Sequence, residues 1–375
     1  MKIVIASDSY KGTVPSWRIG EIVADAAKCA LKEQYAKGEL EIAVIPISDG
    51  GEGALEAIGC QVKMARVKNP DGEMIDARYG ISGKIAFIES ANANGYALTK
   101  LKNPEKTTTY GVGQLILSAL DEGARDIYIT LGGSSTNDLG CGMAAALGVK
   151  FFGKDGEFVP TGASLGEISH IDMSGMDSRL AKCRITALCD VDNPLLGEKG
   201  AAYVYARQKG ADDEMIERLE EGAKKLAELL LFEHGTDIRT LKGSGAAGGM
   251  GGGIVAFFGG RLMGGFDSIA EIIGFDEKIS GADLIITGEG FYDTQSPRGK
   301  VVSQIARRAK KMDVPCIAIV GGYSLDAPLC DGLCAIFSIQ NEPKCFEEAI
   351  VDSEEKLYRT AENIIRVWSA GQKGR

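Results

Sequence analysis

Residues 282–321 read ADLIITGEGFYDTQSPRGKVVSQIARRAKKMDVPCIAIVG. An apolar run is followed by a polar loop with glycines, a helical pattern and a second apolar run. The spacing predicts a strand over 282–288, a helix over 301–311 and a strand over 315–321. Near-continuous apolar strands joined through a helix are the grammar of a parallel sheet covered on both faces. Towards the C-terminus the pattern continues with a strand expected at 334–339 and a long helix at 346–368. The N-terminus repeats it. KIVIA (2–6) is a strand, and EIAVIPI (41–47) is another. Between them Ser16 is expected to cap a helix carrying Ile19, Ile22, Val23, Ala26, Ala27, Ala30 and Leu31 at helical spacing.

The middle of the chain has a different texture. From 61 to 110 the segments VKMARV, IDARYGI and KIAFIES are separated by turn signals such as NPDG, which predicts antiparallel strands. A helix at 112–122, a strand at 126–131, a helix at 139–147, strands at 184–189 and 201–206 and an amphipathic helix at 213–233 follow. The fold class expected is therefore α/β. A discontinuous doubly wound (Rossmann/flavodoxin-like) parallel-sheet domain, 1–60 plus 281–375, carries an inserted mixed α/β domain, 61–280. The active-site cleft is expected between the two domains.

Composition narrows the function. The 375 residues are 45% hydrophobic and 25% charged, an ordinary globular balance, but 50 are glycine. The glycines gather in short strings, which marks turns and close backbone approaches rather than low complexity. A net charge of −10 without a basic run argues against nucleic acid or an anionic membrane as partner. No apolar run reaches membrane-spanning length, and MKIVIASDS reads as a strand rather than a signal peptide. The nine cysteines contain no CxxC pair and read as free thiols, so a cytoplasmic location is expected. With only two histidines, His170 and His234, a multi-imidazole zinc site or a Ser–His–Asp hydrolase is disfavoured. Carboxylates and lysines are left to do the acid–base and metal work.

Ligands of a doubly wound sheet bind beyond the carboxyl ends of the strands. The loops there supply Asp8, Ser9 and Lys11; Asp49, Gly50, Gly51 and Glu52; and Glu289, Asp293 and Lys300. The middle domain adds Asn137, Asp138, Asp190, Asp192 and Asn193, also just after apolar strands. Any one such loop is ordinarily a helix cap. Several together, rich in oxygen ligands and lysines, suit Mg²⁺ and phosphate and point to phosphoryl transfer. A Walker A loop is absent. A GxGxxG at Gly243–Gly248 lacks a convincing preceding strand, which weakens a dinucleotide reading.

The blocks ASDSYKGT, SDGGEGA, TTTYGVGQLI, LGGSSTNDLGCGM, CDVDNPLLGEKGAA, GSGAAGGMGGG and TGEGFYDTQSPRGK resemble, in order, the signature blocks of the bacterial class I glycerate kinases. The family commonly has APDSFKGS where this chain has ASDSYKGT, and often an arginine where it has Phe291. The resemblance implies ATP-dependent phosphorylation of D-glycerate with Mg²⁺, with 2-phosphoglycerate favoured over 3-phosphoglycerate, and it admits a homodimer. Carried over, it makes Asp190 the general base, with Asp192 and Glu289 as competitors. Lys11 and the amides of Gly50 and Gly51 would receive the glycerate carboxylate, while Asp49, Ser9, Asn193 and Asp192 would read or flank its hydroxyls. Asp49, Glu289 and Asp293 are the metal candidates. Nucleotide phosphates are expected near Gly132, Gly133, Ser134, Ser135, Asn137 and Asp138, or near Lys300. The rival readings are an NAD-dependent hydroxy-acid dehydrogenase using the GxGxxG and a non-enzymatic two-lobed binder of small acids. The first needs NADH binding, and the second needs glycerate binding without ATP turnover.

Overall fold

The computed structural model describes residues 1–10, 12–48, 54–342 and 346–372, and the expected site residues Lys11, Asp49, Gly50 and Gly51 lie outside them. The chain forms two compact units, Met1–Gly59 with Gly265–Arg375, and Cys60–Gly264. Each is a mixture of helices with a sheet that is wholly or partly parallel.

In the first unit, five strands pair in the order Ala335–Ser338, Cys316–Val320, Leu284–Thr287, Lys2–Ile5, Glu41–Val44, and every pairing is parallel. Ile3, Ile5, Ile286 and Ile319 join the core made with helices Ser16–Ala30 and Ser353–Gln372. The alternate residues Val4, Ile285 and Ala318 are fully buried as well. Burial of both faces is why these strands read as apolar runs rather than as alternating patterns. Ser16 begins its helix without acting as its cap. Its hydroxyl instead donates to the Ser7 carbonyl at 2.7 Å and accepts from the Ile47 amide at 3.0 Å, tying together the segments that follow the first two strands.

The chain returns to this unit at Gly265, rather than at the expected 281. Arg308, on helix Val301–Lys311, pairs with Asp267 at 2.7 Å and Asp276 at 3.1 Å and lies 4.8 Å from the centroid of the Phe266 ring. These contacts fasten the helices Gly265–Ile273 and Phe275–Ile279 to the first unit. The long C-terminal helix is also divided, into Phe346–Val351 and Ser353–Gln372.

The second unit has six strands that lie side by side in chain order: Gln61–Lys68, Met74–Ser82, Ile85–Glu89, Asp126–Thr130, Arg184–Leu188 and Arg261–Met263. The first three pair antiparallel, and from Ile85–Glu89 onward the pairings are parallel. Ile85–Glu89 thus has a parallel neighbour that its place in a hairpin series conceals. The register aligns Glu89 with Thr130, Thr130 with Leu188 and Leu188 with Met263, so four strands end on one line. Ala86, Ile88, Ile127, Ile129, Ile185 and Ala187 pack with Val112, Leu115 and Ile116 of helix Tyr110–Asp121.

Two local expectations change. AAYVYA (201–206) is helical, with Ala202 and Ala206 packed against Ile216 and Leu219 while Tyr203 and Val204 face solvent. A short apolar run fits either structure by periodicity, and here tertiary packing decides. A small antiparallel sheet of Lys150–Gly153, Gly156–Phe158 and His170–Asp172 was too short to announce itself in the pattern.

The glycine-rich segment serves packing. Gly248 has φ +69°, and a Cβ there would overlap the Thr136 carbonyl; the same addition at Gly253 would overlap the Leu139 carbonyl. Backbone lies directly on backbone, which only glycine allows. Gly248→Ala therefore combines a clash with a left-handed backbone. We expect it to cost at least about 2 kcal/mol of stability, measurable as a fall in the urea unfolding midpoint with an unchanged slope.

Candidate active site

The first unit places a charged cluster beyond strand Leu284–Thr287. Its sheet order is two strands outward one way from Lys2–Ile5 and three the other way from Leu284–Thr287, so the order reverses between these neighbours. Such a reversal opens a crevice at the carboxyl ends, where α/β sheets take ligands. The Asp8 amide donates to the Gly288 carbonyl at 2.9 Å and joins the two loops there. Gly288 permits the close passage, since a Cβ would strike the Ile319 carbonyl. The Asp8 carboxylate is buried and accepts from the Ser9 amide at 2.8 Å, while Ser9 itself is half-buried. Tyr10 supplies a hydroxyl bonded to the Ile319 carbonyl at 2.9 Å.

Glu289, Asp293 and Lys300 converge. The Lys300 ammonium lies 3.6 Å from Glu289 and 3.3 Å from Asp293. Glu289 is 6% exposed, and its Oε1 is buried without a hydrogen-bond partner. Burial pushes the Glu289 pKa up, against the opposing pull of Ser296 and Lys300. At Asp293 burial acts in the same sense but is outweighed by the Gln295 amide and Lys300, and its pKa is held down. One carboxyl is thus disposed to take up a cation or proton, and the other stays ionised. Among the described residues no group of three or more His, Cys, Asp or Glu side chains is arranged to hold a metal unaided.

The second unit gathers its polar loops on the line where four strands end. Asp190 stands two residues past strand Arg184–Leu188 and is exposed. Asp192 is exposed and pairs with Lys242 at 3.4 Å. Asn193 is engaged internally: its amide donates to the Lys199 carbonyl at 2.8 Å and its oxygen accepts from Tyr205 at 2.6 Å. Gly132 and Gly133 are exposed, and a Cβ on Gly132 would meet nothing. Ser135 is buried and donates to the Asn94 carbonyl at 2.9 Å. Asn137 is 2% exposed, with its Oδ1 lacking any partner.

Asp138 is fully buried. It accepts from the Thr109 amide and hydroxyl, both at 2.8 Å, and from the Gly140 and Gly142 amides, both at 3.2 Å. Burial raises its pKa against these donors. Its geometry is that of a brace for the loop and the following helix Cys141–Ala146, with no surface left for a ligand.

Sequence reasoning missed the residue beneath this loop. Lys209 is 2% exposed, and its ammonium donates to Ser134 Oγ at 3.1 Å and the Thr136 carbonyl at 2.7 Å. Burial lowers its pKa to about 7, opposed by the charge of Asp138. It follows an apolar run that resembles a strand, so nothing local marked it. Ser90 and Asn94, on the turn after Ile85–Glu89, were missed because that strand was read as part of a hairpin series; the Ser90 hydroxyl and Asn94 Oδ1 are buried without partners. The GxGxxG glycines do not form a dinucleotide turn. No strand precedes them, and a Cβ on Gly245 would overlap the Pro194 carbonyl.

A mixed α/β protein with hydroxyl- and carboxylate-bearing loops at the carboxyl ends of parallel strands is built to hold small polar ligands. The sequence profile of the glycerate kinase family matches residues 3–369, and the chain belongs to that family. A glycerate kinase of Bacillus cereus is 44% identical over 98% of both chains. A glycerate 2-kinase of Escherichia coli is 38% identical over 100% of this chain and 99% of its own. A crystal structure from Salmonella typhimurium, named as a candidate glycerate kinase 2, superposes with a TM-score of 0.89 at 37% identity, covering 100% of this chain and 99% of that one. No helix among the described residues is long and apolar enough to cross a membrane.

The low pKa of Lys209 has a consequence for stability. Above about pH 7 the folded lysine is neutral, whereas the unfolded one keeps its proton, so the unfolded state binds more protons and stability rises with pH. Between about pH 7 and 8.5 we expect this group to add about 1.4 kcal/mol per pH unit to the unfolding free energy. Lys209→Met should remove that slope in urea titrations across the window.

Proposed function

We propose that the chain is a glycerate kinase that moves the γ-phosphoryl group of ATP to the 2-hydroxyl of D-glycerate. The observation that carries this reading is the Glu289–Asp293–Lys300 cluster, with its unpartnered carboxylate oxygen, at the point where the sheet order reverses. In this reading the first unit is a doubly wound (flavodoxin-like) domain and the second is its insertion. Family membership supplies the kinase chemistry, and ATP follows from it.

The donor set fits Mg²⁺, which takes oxygen ligands and is usually held by one or two carboxylates with substrate phosphates. Glu289, through its unsatisfied Oε1, and Asp293 would hold it, and Asp49 is a further candidate by sequence. When bound, the ion would offset the negative charge on the nucleotide phosphates. Lys300 orients the two carboxylates and supplies a cation to the transferred group. Lys11 and the Gly50–Gly51 amides receive the substrate carboxylate. Ser9 reads a glycerate hydroxyl; Asp192 and Asn193 are the second unit's candidates for the substrate, Asn193 chiefly by holding the shape of its loop. The exposed glycines Gly132 and Gly133 and the Ser134 hydroxyl face the nucleotide phosphates, with Ser135 holding the loop from inside and Asn137 beside them.

Asp190 accepts the proton of the attacking hydroxyl. Its contribution lies in placement close to the hydroxyl as the phosphoryl group is transferred. Asp190→Asn keeps the shape and removes the proton acceptor. We expect it to lower kcat by about 10²-fold or more with an unchanged unfolding midpoint. Near-wild-type turnover in a coupled ADP assay would reject the role. Phosphorus NMR of the wild-type product should show 2-phosphoglycerate, and a 3-phosphoglycerate signal would overturn the regiochemistry.

A further inference from the structure

We propose that Lys209 is a positioning residue that turns the Ser134 hydroxyl into a fixed hydrogen-bond donor for an anionic ligand of the Gly132–Asp138 loop. The inference rests on assigning that loop to the nucleotide phosphates. Lys209 Nζ donates twice, to Ser134 Oγ and to the Thr136 carbonyl, and the two N–H groups of a neutral amine suffice for both as well as the three of an ammonium. When Lys209 donates to Ser134 Oγ at 3.1 Å, the oxygen is engaged as an acceptor and the hydroxyl hydrogen must point elsewhere. Among the described residues the Ser134 hydroxyl is seen only as an acceptor, from Lys209. Ser134 is itself 9% exposed but directly follows the exposed Gly132 and Gly133, so a ligand seated on those glycines lies next to its hydroxyl.

The second bond of Lys209, to the Thr136 carbonyl at 2.7 Å, fixes the loop two residues further on. The lysine is therefore a strut beneath the loop, reached by the turn Arg207–Lys209 and the left-handed Gly210. Among the described residues it forms no ion pair. Its charge is opposed only at longer range, by Asp138, which four donors already occupy. An anion bound beside Lys209 favours the protonated lysine, so ligand binding and protonation of Lys209 support each other. Asn137 adds an independent sign of a missing ligand. Its Oδ1 is an unmet acceptor, 2% exposed, in the same loop. A nucleotide offers both complements, phosphate oxygens for the hydroxyl and hydrogen donors for the amide oxygen.

The test is a double-mutant cycle on the full chain. KM and kcat for ATP and for glycerate are measured for wild type, Lys209→Met, Ser134→Ala and the double variant, with unfolding midpoints alongside. Each single variant should raise KM for ATP about tenfold, the loss of one charge-assisted or ligand-facing hydrogen bond. KM for glycerate should stay within about twofold, and the double variant should be no worse than the worse single one. Effects that multiply to about a hundredfold in the double variant would overturn the coupling. So would a Lys209→Met protein with a lower midpoint but wild-type KM beside an impaired Ser134→Ala. If Ser134→Ala leaves KM for ATP unchanged, the loop assignment itself fails, a result distinct from failure of the strut. Lys209→Gln, which keeps a donor without the charge, completes the same cycle if Lys209→Met does not fold.

Discussion

A buried carboxylate organises the second unit. Asp138 takes four hydrogen bonds, from the amide and hydroxyl of Thr109 and from the amides of Gly140 and Gly142. It thereby joins the start of helix Tyr110–Asp121 to the start of helix Cys141–Ala146. The loop between strand Asp126–Thr130 and that second helix has its shape set from inside. Ser135 leans on Asn94, Thr136 on Lys209, and Leu139 on the Gly248 carbonyl. Satisfying so many buried polar groups at once leaves the loop a single conformation. The exposed part, Gly132 and Gly133, is then free to be shaped for a ligand.

The first unit solves the corresponding problem differently. Among its described residues the loop polar groups are held by near neighbours: Asp8 by the Ser9 amide, Asp293 by Gln295 and Lys300, Lys300 by the two acids. Glu289 and Thr287 depart from this, because one Glu289 oxygen and the Thr287 hydroxyl are buried and unmet. A site whose internal contacts are nearly but not wholly complete is poised for a cation or substrate to complete it.

Much of this was legible in the residues. The parallel sheet of the first unit could be read because strands buried on both faces are apolar at every position, as LIIT and CIAIV show. Glu289, Asp293 and Lys300 could be gathered because they follow one strand closely. The rest depended on contacts distant in sequence. Asp138 resembles a ligand-binding acid in the sequence, and only Thr109, 29 positions away, shows it to be a brace. Lys209 lies 75 positions from Ser134, in a segment whose local pattern suits a strand, so its role could be found only through tertiary packing. The return to the first unit at Gly265 was hidden for the same reason, since its anchor is Arg308.

The order of strands in the two sheets also bears on how the chain is made. The second unit lays down its six strands in the sequence in which they lie side by side, ending at Met263. A nascent chain can therefore close that sheet one strand at a time, with each new strand adding to an edge already present. The first unit cannot. Lys2–Ile5, the second strand from one edge of its sheet, must pair with the central strand Leu284–Thr287. Until then it carries an unpaired apolar edge for most of synthesis, and this distant closure is the step expected to limit folding.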